Sequence, residues 1–326
     1  MPVLTITHTR ADGTLIAGTQ RGDGTNTILT TNGWRWSRAL GAWFVPHSRD
    51  RAVKTPVITA TVATLREAGH DVAVFIDDTA RPAAVVEADL AGRQADRAEA
   101  MATKAARKAS AADAAYARHE AAVRRLPGGG EPVKLGHHSE GRHRRAISRA
   151  WSTLGTAVEA QREADDAQAA ATTAAATTGA RYSTITVGNR IEKLAAEVRR
   201  LERRVTAPVY DPDTGYRPAT ELERAARTRH LEPMIAETRD QLAYWEGVRA
   251  DQVATGAAGD YGRHNVAKGD AVKIGDTWRR VVRANAKTVS VQTGYSWTDR
   301  APWHSVTDHQ PAADIPTEAA GRPASR

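Results

Sequence analysis

Cysteine is absent from all 326 positions. That excludes disulfides, thiolate metal sites and a cysteine nucleophile, and it suits a reducing compartment, so a cytoplasmic location is expected. Aromatic residues are scarce, at 5% of the chain with only two Phe. Much of the apolar content is alanine, which buries little area, so small cores joined by helices are expected rather than one large core. Long apolar runs are missing, and none approaches the roughly 18 residues of a membrane span. The opening MPVLTITHTRADG lacks the charged-then-apolar pattern of a secretory signal. Neither a signal peptide nor a membrane partner is expected. No Ser-His-Asp arrangement, Walker loop or dinucleotide fingerprint occurs; the GGG at 128–130 follows a helical pattern rather than a strand, and no GK[ST] comes after it. Lysine is also rare, with eight among 46 basic residues.

What remains is arginine. The net charge is +8. Arg offers a rigid fork that suits phosphate and stacks on flat rings, so a basic, Arg-rich chain points toward nucleic acid. A GC-rich genome favours Arg and Ala codons whatever the protein does, so composition alone does not decide the matter.

The pattern along the chain predicts an α+β multidomain protein. Residues 1–80 read as a small α+β domain: a strand at VLTITHT, a short helix over 24–32 stopped by Gly33, an aromatic hairpin at WRWS and AWFVP, a helix from Pro56 to Ala68 capped by Gly69, and a strand at DVAVFID. Residues 81–180 read as a helical hairpin: a long, mostly exposed Ala/Arg/Glu helix, a break at LPGGGEP, and a second helix starting near Ser139. Over 181–255, Ile191, Leu194, Val198, Leu201 and Val205 repeat at three and four, as do Leu231, Ile235, Thr238, Leu242 and Trp245. These are coiled-coil seams. Residues 191–205 can pair with residues 222–248 of the same chain or join a second copy as a homodimer; Thr220 starts the second helix, and Pro233 is expected to kink or restart it. Residues 264–309 show short β-branched and aromatic runs of the kind that build a small SH3-like β-barrel, and residues 310–326 read as a disordered tail.

Three segments carry candidate chemistry. In GGGEPVKLGHHSEGRHRR, Ser139 is a good helix N-cap and Glu140 sits where the helix dipole favours negative charge. Two readings stay open beside a plain solvated helix start. Free amides with Arg142, Arg144, Arg145 and Arg149 would make an anion site for phosphate. Alternatively, His137, His138, Glu140 and His143 would hold a divalent transition metal, with His137, His138 and Glu140 as the catalytic set of a phosphodiesterase or nuclease. In GWRWSRALGAWFVPHSR, Trp34 and Trp36 are expected on one face, with Arg35 and Arg38 nearby. Exposed rings there would stack on bases, whereas a small domain would use at least two of its three tryptophans for its core. Arg279 and Arg280, beside Trp278 and ahead of Tyr295, Trp297 and Trp303, repeat the pattern more weakly.

The run GHHSEGRHRR, preceded by PVKLG, resembles the hallmark of an uncharacterised bacterial family of domains of unknown function, marked by the motif Gly-His-His-Ser-Glu and frequent in actinobacterial genomes, plasmids and phages. The resemblance covers roughly residues 80–205. It implies a mobile-element setting, and through that setting DNA rather than RNA. NGWRWSRALGAWFVP is similar, over about 25 residues, to the HARP-type hairpin of annealing helicases, which implies binding to single strands or junctions. The leading expectation is a non-enzymatic nucleic-acid-binding accessory protein needing no cofactor; the alternatives are the metal-dependent hydrolase and a coiled-coil scaffold.

Overall fold

The structure, a computed structural model, describes residues 3–126 and 131–315. It is a mixed α+β protein with six α-helices and three sheets among the described residues. Two compact units divide the chain: Met1–Glu87 with Leu194–Tyr244, and Ala88–Lys193 with Trp245–Arg326. No helix among the described residues is long and apolar enough to cross a membrane.

In the first unit, strands β1 (Leu4–Thr9), β2 (Gly13–Ala17), β3 (Arg35–Ser37), β4 (Ala42–Phe44) and β5 (Val72–Asp77) form one sheet in the order β3-β4-β2-β1-β5. Helices α1 (Thr25–Thr31) and α2 (Thr55–Glu67) cover one face. Alternation along β1 explains the core: Leu4, Ile6 and His8 are buried, whereas Thr5 and Thr7 are not. These residues join Ile16, Leu29, Ile58, Leu65 and Val72 in a single cluster, except His8, which bonds Thr14 Oγ1 through Nδ1 at 2.8 Å. β2 has no counterpart in the sequence reading, because GTLIAG is too short to show an alternation. Pro56 lies in the first turn of α2, and Gly69 follows its end with φ +85°, as the sequence indicates.

The coiled-coil seam closes within the chain. Helix α5 (Thr184–Thr206) brings Leu201 and Val205 against Leu231 and Ile235 of α6 (Glu221–Ala254), and Arg239 reaches Glu202 at 2.7 Å. Thr220 and Glu223 form a capping box at the start of α6. The Thr220 amide donates to the Glu223 carboxylate at 2.8 Å, and the Glu223 amide donates back to Thr220 Oγ1 at 3.3 Å. Arg217 grips the same carboxylate through both terminal nitrogens, at 2.9 and 2.8 Å. That grip holds the Glu223 carboxyl down at about 2. Arg217 belongs to a small hairpin, β6 (Val209–Asp211) and β7 (Gly215–Arg217), inside what the sequence suggests is a plain connection. Pro233 does not restart α6, which runs through it unbroken. Proline removes a single backbone donor and Pro233 faces solvent, so water can satisfy the carbonyl one turn back.

In the second unit, α3 (Ala83–Val123) and α4 (Glu140–Arg181) form the expected hairpin, and its seam is made of alanine. On α4 the buried residues His143, Ala150, Ala157, Ala164 and Ala171 fall every seven positions. On α3, beyond Ala83 and Glu87 at its start, they are Ala105, Ala112, Ala115 and Ala122. The pairing is antiparallel: Thr178 donates to Gln94, Lys108 pairs with Glu163, and His119 Nδ1 lies 3.2 Å from the Ala150 carbonyl. The mostly exposed helix expected over 82–125 therefore has a buried edge. A methyl group is enough to fill it, because side chains this small let two helices approach to the short end of the usual 8–10 Å spacing.

Strands β8 (Ala271–Ile274), β9 (Thr277–Ala284), β10 (Thr288–Gln292), β11 (Thr298–Pro302) and β12 (Val306–Gln310) form an antiparallel sheet in the order β11-β10-β9-β8-β12 over a valine core. Among the described residues β11 and β12 do not pair, so the expected barrel is not closed; five short strands leave both edges open. Each is joined to the rest by one neighbour only. The sheet meets the start of α5 at Gly188, where an added Cβ would lie 2.2 Å from the His304 ring. No other residue type leaves room for that ring. Of the tail expected over 310–326, residues 316–326 lie outside the described residues, as do Gly128, Gly129 and Gly130.

Candidate nucleic-acid interface

Gly136 adopts φ +75° and turns the chain into α4. Its amide donates to Glu140 at 2.7 Å, and Arg144 Nε donates to the same carboxylate at 2.9 Å. The Gly136 amide first, and Arg144 second, hold the Glu140 carboxyl below its ordinary value. Because the folded value is depressed, this link is intact above the ordinary Glu range and is lost only as pH falls through the lowered value. An NMR titration of the Gly136 amide is expected to show a midpoint below that of a free glutamate, and Glu140→Gln is expected to abolish the transition. A Gly136 shift that follows the ordinary Glu midpoint would contradict the link.

Ser139 stands at the N-cap position, but its hydroxyl caps nothing. Its backbone is helical already (φ −85°, ψ −10°), so the side chain is not aimed at the first free amides as an extended cap residue would be. The hydroxyl lies 2.8 Å from His137 Nδ1 instead. The His137 and His138 rings are 4.1 Å apart and both face solvent. His143 points the other way and is buried as the first member of the alanine seam. The four side chains proposed as metal ligands therefore do not converge, and among the described residues no group of three or more His, Asp or Glu could hold a metal ion. The helix start is also a poor phosphate cradle, since Glu140 already puts a carboxylate there.

The arginines sort by helix face. Arg142, Arg145 and Arg149 are spaced three and four apart and form one exposed stripe on α4. Turning in the same sense from the seam of α3 leads to Arg118, and to Arg125 in the turn just past the helix, both exposed. In an antiparallel pair the same sense of rotation leads to the same face. The five guanidinium groups thus share one side of the hairpin near its tip. None of the five has an ion-pair partner among the described residues. The opposite sense leads to Glu120, Glu140, Tyr116, Val123 and Trp151, and that side holds the paired arginines, Arg124 with Glu120 and Arg144 with Glu140. Arg118 and Arg125 escape a local reading because only the helix pairing brings them beside the motif. Their seven-residue spacing, the same as that of Arg142 and Arg149, is the one signal that could have flagged them.

The other candidates are divided. Trp34 does not share a face with Trp36. It precedes β3 and turns inward at 1% exposure, donating from its indole to Thr61 Oγ1 at 2.9 Å. Trp43 packs on the same core, so two of the three tryptophans are structural. Trp36 is 49% exposed and meets Trp43 edge to face at 5.9 Å. Arg35 and Arg38 are exposed, and Arg35 stands opposite Phe44. In the C-terminal sheet Arg279 pairs with Asp299 at 3.2 Å, whereas Arg280 is exposed. Tyr295 and Trp297 form a solvent-exposed parallel stack, 4.5 Å apart and 7° from coplanar. Trp303 is held by its indole to the Asn285 carbonyl at 3.0 Å.

Residues 89–209 match the model of a domain of unknown function, DUF3560. This DUF3560 segment takes in α3 from residue 89 onward, α4 and α5, together with the basic side of the hairpin tip. It agrees closely with the span of about 80–205 expected from the sequence and begins beyond the aromatic hairpin. No curated protein and no solved structure matches the chain.

Proposed function

We propose that the protein binds nucleic acid through the basic side of its DUF3560 hairpin. The observation that carries this reading is the set of five exposed arginines, Arg118, Arg125, Arg142, Arg145 and Arg149, which share one side and have no ion-pair partner among the described residues. A guanidinium paired with a carboxylate has little left for a phosphate; one without a partner has its whole fork available. The exposed rings of Trp36, Tyr295 and Trp297 add flat surfaces of the kind on which unpaired bases stack. The likeness of residues 32–46 to an annealing-helicase hairpin, and of GHHSE to a family common in mobile elements, favours an accessory role in DNA transactions. The short five-stranded C-terminal sheet, read as an SH3-like module, fits the same role. The hydrolase reading gains nothing from the geometry, because His143 is buried in the seam, away from the exposed His137 and His138.

Fluorescence anisotropy with labelled single- and double-stranded oligonucleotides tests the proposal. Binding is expected at 50 mM salt and is expected to weaken steeply as salt rises, with a log–log slope of about −4.5 if all five arginines displace counterions from duplex. Negligible binding to both forms at low salt would rule the reading out.

A further inference from the structure

The first unit ends in an unprotected sheet edge. β5 is the outermost strand on its side and pairs only with β1, in parallel. The Leu4 amide bonds the Asp71 carbonyl at 2.9 Å, which fixes the phase of that ladder. Residues 71, 73, 75 and 77 turn their amides and carbonyls toward β1, and residues 72, 74 and 76 turn theirs outward. Arg66 covers the outward carbonyl of Val72 at 3.1 Å. The amides and carbonyls of Val74 and Ile76 have no partner among the described residues. The side chains are equally bare: Val74 is 37% exposed, Phe75 62% and Ile76 48%. Edge strands are usually blunted by charged side chains, a proline, a bulge or a covering element, and in VAVFID only Asp77, at the end of the strand, is of this kind. Three consecutive apolar residues facing water on both sides of an open edge are the features of a surface that takes another strand.

We infer that the strand it takes is β5 of a second copy, running antiparallel about a two-fold axis at Phe75. The register follows from the outward groups. Val74 and Ile76′ of the other protomer exchange both of their hydrogen bonds, as do Ile76 and Val74′, so the four free groups on each edge are satisfied together. Phe75 then faces Phe75′ at a non-hydrogen-bonded position, where side chains come closest. Each apolar residue meets an apolar residue, Val with Ile on one face and Phe with Phe on the other. Asp77 falls opposite Ala73′ and Asp71 opposite Thr79′, so no carboxylate faces another. A strand of unrelated sequence satisfies the backbone alone; the copy satisfies the backbone and both faces. This surface is separate from residues 191–205, whose apolar seam is already used by α6.

Solution mass measured by light scattering, without nucleic acid, tests the inference separately from the binding proposal. The full chain is expected to weigh twice its 35.1 kDa at about 100 µM protein, in the range of a modest interface. Val74→Pro removes an outward donor without touching the β1 ladder, and Phe75→Lys sets two like charges at the axis. Both are expected to be monomeric with unchanged circular dichroism. Because the chain has no cysteine, Phe75→Cys supplies a positive readout: mild oxidation is expected to cross-link it as a dimer, while Thr7→Cys stays single. A wild-type monomer at 100 µM, or a dimer that survives both edge substitutions, overturns the inference. If the proline variant alone loses its fold, the lysine and cysteine variants decide.

Discussion

Replacing Arg142, Arg145 and Arg149 together with glutamine is expected to flatten the salt dependence of nucleic-acid binding by about 2 to 3 in log–log slope. At low salt the affinity is expected to fall by roughly one to two orders of magnitude, since three phosphate contacts of modest individual strength are lost together. The three residues project from one stripe of α4, away from the alanine seam, so the hairpin should keep its helix content. Arg144→Gln is the matched control. It removes the same charge from the same helix turn, but its guanidinium is already engaged by Glu140 at 2.9 Å, so a smaller loss is expected. Equal losses for Arg144→Gln and for single changes in the stripe would show that net charge, not the shared side, sets the affinity. Arg118→Gln carries the argument to the other helix. A loss like that of Arg149→Gln would support a surface made by both helices, and no loss would confine it to α4.

The largest structural effect is expected from Ala157→Leu. Ala157 is fully buried at the middle of the seam, with the small Ala150 and Ala164 one heptad away on either side. Three further carbons must be accommodated at a position that is already fully buried, so the helices must separate or the side chain must leave its preferred rotamer. Overpacking of this kind costs about 1 to 3 kcal/mol. The protein has two compact units, so a single unfolding transition is a poor measure. Native-state hydrogen exchange of the α3 and α4 amides reads the local cost directly, and their exchange is expected to speed up by about 5- to 150-fold. Ala170→Leu, on the exposed side of α4, is expected to change exchange little. Unchanged exchange in Ala157→Leu would mean that the two helices are not held along this line.

Much of this architecture is legible in the residues. Proline at the start of α2, glycine after it, and the three-four spacing of Ile191 to Val205 act through local geometry, and each does in the structure what it does in the sequence. The alanine seam is not legible in the same way. Alanine is both the best helix former and a neutral surface residue, so its burial every seventh position carries no contrast against a background rich in alanine. β2 is hidden by its brevity, and the inward turn of Trp34 by a strand that begins one residue later than the alternation suggests. At the candidate site the helix start is visible in sequence, but the direction of each side chain is not. His143 belongs to the seam because of where α3 lies, and Arg118 joins the basic side for the same reason.

The pairing of α5 with α6 bears on how this protein can be cut into pieces. The DUF3560 match stops at residue 209, within β6, whereas the apolar partners of Leu201 and Val205 are Leu231 and Ile235. A fragment ending at 209 would uncover those side chains and leave Val209 without its hairpin partner Arg217. The boundaries of the recognised segment are thus not those of an autonomous folding piece, and excising it calls for the second helix to travel with it.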